Sequence, residues 1–420
     1  LPVNGIANKD LAAHAETSVK VQSLLKQLQQ QRLSKMKQAR KALLARPETR
    51  DLISDPKKRG KTSTLGRDFE PCFKDPTPKC LLDEASESAI AIFKSELRDW
   101  VMGEILVAKA KAGLVSEAME TVRLIGDPRL IMVALRDIAK AQAAAGRPAE
   151  ALSAADIIPD PVKRLEALAA IAFIQTSRKD LEGANTTALN LMSGLEEVED
   201  ALKRISLAAS AVTIFSLSGK TDTAKKELAR IHSMAESTMV SDHRSAAMRH
   251  VANAYAETGN PEQALDILKE LPDVTEHTPV LVSAAAAQVK AGDAEQAITT
   301  AESIEAVRYR AVVLSRIARA QAKTGNTTGG RETLEKALKA AGEIERPFAK
   351  AYAYERVSLA LMELGRLEGE SAFAQAIDTA GLISDEKLRA HTLWRLSAGQ
   401  RKAGDDAGRA KTEEMAETAT

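Results

Sequence analysis

The chain has 420 residues, of which 44% are hydrophobic and only 3% aromatic, and its net charge is +1. A near-neutral total with four Tyr argues against a basic nucleic-acid face and against stacking platforms for single strands. No run of 18 uncharged apolar residues exists to cross a bilayer.

Residues 1–47 come first, and residues 8–47 read as one long amphipathic, basic helix. Asp10 can cap it, and Leu11, Val19, Val21, Leu24, Leu25, Leu28, Leu33, Met36, Leu43 and Leu44 recur at helical spacing until Pro47 ends it. Such a stripe needs cover: another copy in a coiled coil, the helices that follow, or a partner. Residues 1–80 hold 17 Lys or Arg against 8 Asp or Glu, a net of +9, which leaves −8 for the remainder. A basic arm therefore precedes an acidic body.

Residues 48–80 form a linker with Pro56, Pro71, Pro76 and Pro78 and a basic run, Lys57-Lys58-Arg59-Gly60-Lys61. That run also fits a nuclear-localisation signal. The only cysteines, Cys72 and Cys80, fall here. Joined, they would close a short loop contributing about 2–3 kcal/mol in the chain-entropy account; the alternative is two free cytosolic thiols. A zinc site lacks further ligands nearby. The pair, with a chain opening at Leu1 and not Met, predicts an exported, periplasmic location, with the cytoplasm as the alternative.

From Leu81 to Thr420 one pattern recurs nine times. Small apolar residues run into a Gly or a stand-in, with a small residue five positions later. The anchors are Gly113, Gly146, Lys179, Gly219, Gly259, Gly292, Gly325, Gly365 and Gly404, and the intervals between them run 33, 33, 40, 40, 33, 33, 40 and 39. A fixed period in the thirties predicts stacked helical hairpins. Asp127-Pro128 and Asp160-Pro161 each place a capping carboxylate before a Pro at the first helical position. The first helix then ends at the anchor, where a positive φ is cheap for Gly, and the second buries Ala151, Ala154 and Ala155, or Ala297 and Ala301. Seven extra residues add nearly two turns and keep the apolar stripe in phase. The order of spacings reads as a duplicated block of four hairpins plus one more.

The unit Val251-Ala252-Asn253-Ala254-Tyr255-Ala256-Glu257-Thr258-Gly259-Asn260-Pro261-Glu262-Gln263-Ala264 resembles a tetratricopeptide repeat, with Ala252, Tyr255, Gly259 and Ala264 in the motif places. Gln142, Gln288 and Gln321 stand where the family has Tyr, and the early Trp is missing from nearly every unit. The resemblance covers about residues 95–410. It implies an all-α, right-handed superhelical solenoid of about nine hairpins, whose first helices line a concave groove that binds peptides or protein surfaces.

It also implies candidate groove residues: Arg136, Lys140, Arg249, Asn253, Arg319, Lys323 and Tyr352, a mostly basic strip suited to an acidic peptide. The family's clamp for a partner's C-terminal carboxylate is matched by Arg249, Asn253 and Arg316, while Ser283 and Val312 replace its other members.

Chemistry beyond binding has little support. His243 and His250 are seven apart, which is poor metal spacing. Gly325-Asn-Thr-Thr-Gly329-Gly330 lacks the ending of a phosphate loop, and no nucleophile motif is present. The expectation is a non-enzymatic interaction scaffold without metal or cofactor, a subunit of an exported bacterial assembly binding protein and not nucleic acid. The alternatives are an enzyme or ligand-binding protein with a pocket inside the superhelix, and a structural protein that self-associates through residues 8–47.

Overall fold

A computed structural model of the chain describes residues 6–53, 68–238, 240–364 and 366–419. The basic run at 57–61, Gly365 and the side chains of Asp10, Leu11 and Val19 lie outside what is described. Among the described residues every element is a helix, and the fold is an all-α helical-repeat solenoid.

Helix α1 (Ile6–Ala45) begins four residues before Asp10, so Asp10 lies inside the helix and not at its cap. It ends where Arg46 turns extended ahead of Pro47, because the proline ring disfavours helical backbone in the preceding residue. Pro47 opens the single turn α2 (Pro47–Arg50). The buried Thr49 hydroxyl there donates to the Leu43 carbonyl at 2.7 Å, satisfying one of the orphaned carbonyls at the end of α1. A disulfide joins Cys72 and Cys80, with Cα atoms 5.8 Å apart, and ties α3 (Glu70–Lys74) to the start of α4 (Pro78–Ile90). Thr77 caps α4 by accepting the Cys80 N–H at 3.2 Å. α4 thus starts inside the segment read from sequence as linker.

Nine pairs of consecutive helices follow among the described residues. They are α5 (Ser95–Lys111) with α6 (Val115–Val122), α7 (Pro128–Ala144) with α8 (Pro148–Asp156), α9 (Pro161–Ser177) with α10 (Leu181–Ser193), and α11 (Ala201–Leu217) followed in the chain by α12 (Thr221–Glu236). Next come α13 (Ser241–Glu257) with α14 (Pro261–Lys269), α15 (Thr278–Ala291) with α16 (Ala294–Glu302), and α17 (Val307–Lys323) with α18 (Thr327–Gly342). The last are α19 (Pro347–Leu364) with α20 (Arg366–Gly381) and α21 (Glu386–Ala403) with α22 (Asp406–Glu417).

Every described anchor falls between the two helices of a pair and has φ between 69° and 90°. Lys179 is among them, the one non-glycine residue with positive φ among those described. Asp127 and Asp160 cap α7 and α9 as expected, accepting the Arg129 and Lys163 N–H groups at 2.9 and 2.8 Å. The shorter periods contain second helices of 8 or 9 residues (α6, α8, α14, α16). The longer periods contain second helices of 13 to 16 (α10, α12, α18, α20). The extra turns enter this layer alone. First helices keep a near-constant length, 17 residues in α5 and 18 residues in α19. The exception is α15 with 14, which a 3-10 turn at Val274–His277 precedes.

The chain divides into two compact units, residues 1–220 and 221–420. In the first, α5, α7, α9 and α11 pack in succession, and the end of α1 lies on α7. Leu43 is fully buried with Leu106, Ile131, Leu135 and Ile138 in one core, and covering such a side chain contributes about 1.5–3 kcal/mol. In the second, α13, α15, α17, α19 and α21 pack in the same order. Ala supplies much of both cores, including Ala151, Ala155, Ala297 and Ala301, all fully buried, while Ala154 is half-buried.

The Gln residues in the Tyr place have a structural task. Gln400, buried four residues before Gly404, donates to the Asp405 cap at 2.9 Å and accepts from Thr412, twelve residues on, at 2.8 Å. Gln175 does the same with Asp180 and Thr187, both at 2.9 Å, and Gln321 accepts from Thr333 at 2.8 Å. Each clasp bolts a first helix to its second. In the α5–α6 hairpin Lys109 takes this place, meeting Thr121 at 3.3 Å and Asp83 of α4 at 3.0 Å. Burial alone would raise the Asp83 pKa, but the hydrogen bonds and charges of Lys109 and Lys79 hold it low. Gln142, with Ala154 twelve residues on, and Gln288, with Thr300 there, make no such clasp, and the buried Oε1 of each is left without a partner among the described residues.

Candidate functional site

The two helix layers differ in charge. In the second unit the five first helices carry 15 Lys or Arg against 5 Asp or Glu, a net of +10, and the six second helices a net of −6. In the first unit the four first helices carry +5 and the three second helices −5. The total of +1 conceals this separation, so near-neutrality is no argument against a basic face.

The strongest concentration lies on α17, α19 and α21. Arg316, Arg319 and Lys323 are spaced by three and four residues and share one side of α17. Arg319 donates to both carboxylate oxygens of Glu363 on α19, its Nε at 2.9 Å from Oε2. Tyr352, Glu355 and Arg356 share the corresponding side of α19. Arg395 of α21 donates to Glu355 at 2.9 Å and lies over the Tyr352 ring, 4.1 Å from its centroid. Glu355 is buried, and that burial pushes its carboxyl pKa up against the pull of Arg395, Arg356 and Lys402. Arg316, Lys323, Arg356 and Lys402 make no ion pair among the described residues, and Arg316, Lys323 and Lys402 are exposed.

The other sequence-predicted groove residues are partly engaged by the chain's own carboxylates. Arg136 on α7 donates to Asp137 at 2.9 Å and to Glu166 on α9 at 3.1 Å, and Lys163 reaches the same Glu166 oxygen at 2.8 Å. Burial would raise the Glu166 pKa, but these two cations hold it below the usual carboxylate range. Lys140 is exposed and 3.9 Å from Asp137. Arg249 pairs with Glu276, and Asn253 donates to Glu257 at 2.8 Å. Of the clamp positions, Val312 is buried in the core and Ser283 half-buried, which leaves Arg316 as the exposed one. Arg316, Arg319 and Lys323 thus share one side of α17 and Tyr352 lies on the neighbouring α19 beside Arg395, while Arg136 with Lys140, and Arg249 with Asn253, lie on other helices.

Arg356, Arg395 and Lys402 were missed in the sequence reading. Sorting charges by first and second helix, with the anchors as markers, would have raised them.

An open groove of about 670 Å³ lies elsewhere, between the second helices α16 and α18, lined by Asp293, Glu295, Gln321, Asn326, Glu332 and Lys336 among others. It mixes both signs of charge and lies on the acidic layer, so the cation cluster and not this groove is the better candidate. Among the described residues no group of His, Cys, Asp and Glu is arranged to hold a metal ion, and no helix is long and apolar enough to cross a membrane.

No protein-family model matches the chain, and no curated protein matches it. Solved structures similar to it include Ton1535 from Thermococcus onnurineus NA1, at 15% identity over 76% of this chain and 98% of that one, with a TM-score of 0.35. Another is the signal-transduction ATPase with a tetratricopeptide repeat sensor, PH0952 from Pyrococcus horikoshii, at 16% identity over 83% and 51%, with a TM-score of 0.31. A third is the human IFIT1 dimer with PPP-AAAA, at 15% identity over 81% and 93%, with a TM-score of 0.25. These likenesses carry nothing about what the chain binds.

Proposed function

We propose that the chain is a non-enzymatic interaction scaffold of tetratricopeptide type, which binds an acidic protein segment on the first helices of its second unit. The observation that carries this reading is the surplus of cations on α17, α19 and α21. Arg316, Lys323, Arg356 and Lys402 are among those that make no ion pair within the described residues, beside Arg319 and Arg395 that do. Carboxylates along an extended segment would find Arg316, Lys323, Arg356 and Lys402 spread across three adjacent helices. Complementarity of this kind sets partner choice and encounter rate. A protein segment fits better than nucleic acid, because Tyr352, the aromatic ring in the cluster, already has Arg395 stacked on one face.

The disulfide supports an exported location, since such bonds persist in oxidising compartments. We accordingly assign the chain to an exported bacterial assembly.

The test is fluorescence anisotropy of the whole chain with a labelled Glu-rich peptide lacking large apolar residues, beside a labelled single-stranded oligonucleotide. Binding of the peptide should weaken as salt rises and fall by about tenfold in an Arg316→Glu/Lys323→Glu variant. Binding of the oligonucleotide alone, or peptide binding indifferent to that variant, would contradict the proposal.

A further inference from the structure

Helix α1 has an apolar face that is covered near its downstream end and, among the described side chains, exposed from Val21 to Leu28. Residues 18 apart on a helix are five turns apart and share an azimuth. Val21 therefore lines up with Ala39, Leu24 with Ala42, and Leu25 with Leu43. Ala39 and Leu43 are buried in the core against α7, with Ala42 packed beside them. Val21, Leu24, Leu25 and Leu28 are 49–55% exposed. The cover ends near Arg32, which pairs with Glu96 of α5 at 2.7 Å. From α7 to α5 the helix advances about nine residues, roughly 14 Å. An equal step upstream reaches Val21 to Leu25.

Among the described residues the array at that point lacks one helix. α4 packs on α5 as the second helices α6 and α8 pack on α7 and α9. It therefore acts as the second helix of a preceding hairpin, and among the described residues no helix takes that hairpin's first-helix place. The exposed face of α5 there bears Leu97 and Trp100. Trp100 precedes its anchor Gly113 by the same interval at which Glu166 of α9 precedes Lys179, so the two hold equivalent places. Glu166 reaches back to Arg136 on the preceding first helix, and Trp100 is set to meet a helix stacked on α5.

We propose that an acidic amphipathic helix of another protein docks here and completes the repeat. Its apolar face would lie on Val21, Leu24, Leu25, Leu28 and Trp100, and its carboxylates beside the α1 cations. Residues 17–47 contain eight Lys or Arg and no Asp or Glu. This charge attracts acidic flanks and repels a second copy of α1. The surface belongs to the first unit, so it stands or falls apart from the acidic-segment site on α17, α19 and α21.

The test uses the full chain and two labelled synthetic helical peptides with the same Leu face, one flanked by Glu and one by Lys. The Glu peptide should bind at least about tenfold more tightly than the Lys peptide. Binding should fall by a similar factor in Leu24→Glu/Leu25→Glu, whose positions are exposed and leave the core intact, and in Trp100→Ala. It should persist in Arg316→Glu/Lys323→Glu. Four outcomes overturn the proposal: no preference between the peptides; loss of binding only in the Arg316/Lys323 variant; binding to phosphatidylglycerol vesicles without binding to the Glu peptide; and sedimentation showing a dimer that Leu24→Glu/Leu25→Glu dissolves.

Discussion

The first helices of the hairpins have near-constant length and a surplus of cations. The second helices range from 8 residues in α6 to 16 residues in α12, and in sum carry a surplus of carboxylates. Growth of a repeat by two turns thus falls on one layer. The other keeps the spacing that lets charged side chains far apart in the chain meet across neighbouring helices, as Arg136 meets Glu166, Glu355 meets Arg395 and Arg319 meets Glu363. A layer that conserves its spacing can present an extended partner with a regular row of groups. A layer that varies cannot.

The clasp between the layers offers the largest break. Gln400→Ala would leave Asp405 and Thr412 without their buried partner and should cost about 1–3 kcal/mol in denaturant unfolding. Gln142→Leu removes a group whose acceptor already lacks a partner, and should be neutral or stabilising. Equal losses at the two sites would show that the clasp does not couple the layers.

The turns between layers should respond more gently. Gly259→Ala places a Cβ at a φ of 88° in open space, so backbone strain alone should cost about 1 kcal/mol. Lys179→Gly relieves the same strain at φ 69° and should raise the melting temperature by a few degrees. A melting temperature that falls in Lys179→Gly would mean the Lys side chain contributes more than the strain it imposes.

The smallest effect concerns Glu355 on the first-helix face. Its pKa is raised, chiefly by burial, so its ionised form is the costly one in the folded state. Stability tied to this group is full below the ordinary Glu pKa and is lost as pH rises through the raised value. Glu355→Gln, which keeps an acceptor for Arg395, should therefore raise the melting temperature slightly at neutral pH and leave it unchanged near pH 4. A fall at neutral pH would show the ion pair to be net stabilising.

The hairpin anchors were legible in the chain because each is a local backbone requirement, and even Lys179 was placed by its spacing. The caps at Asp127 and Asp160 were legible for the same reason. The Gln–Thr clasps were not, since they join residues twelve apart whose types carry no signal until two helices are antiparallel. Nor were the partners of Arg136, Arg249 and Arg319, which depend on carboxylates of other helices or of the segment before α15. The stripe on α1 was visible, but its division into a buried part at Ala39 and Leu43 and an exposed part at Val21 to Leu28 depends on where the repeats stop.

The most direct measurement compares charge reversal in the two layers, using the binding of one Glu-rich peptide lacking large apolar residues. Arg316→Glu/Lys323→Glu on the first helix α17 should lower affinity by about tenfold, while Lys336→Glu/Lys339→Glu on the second helix α18 should leave it within about twofold. Equal losses from both variants, or a larger loss from the α18 pair, would contradict binding on the first-helix layer.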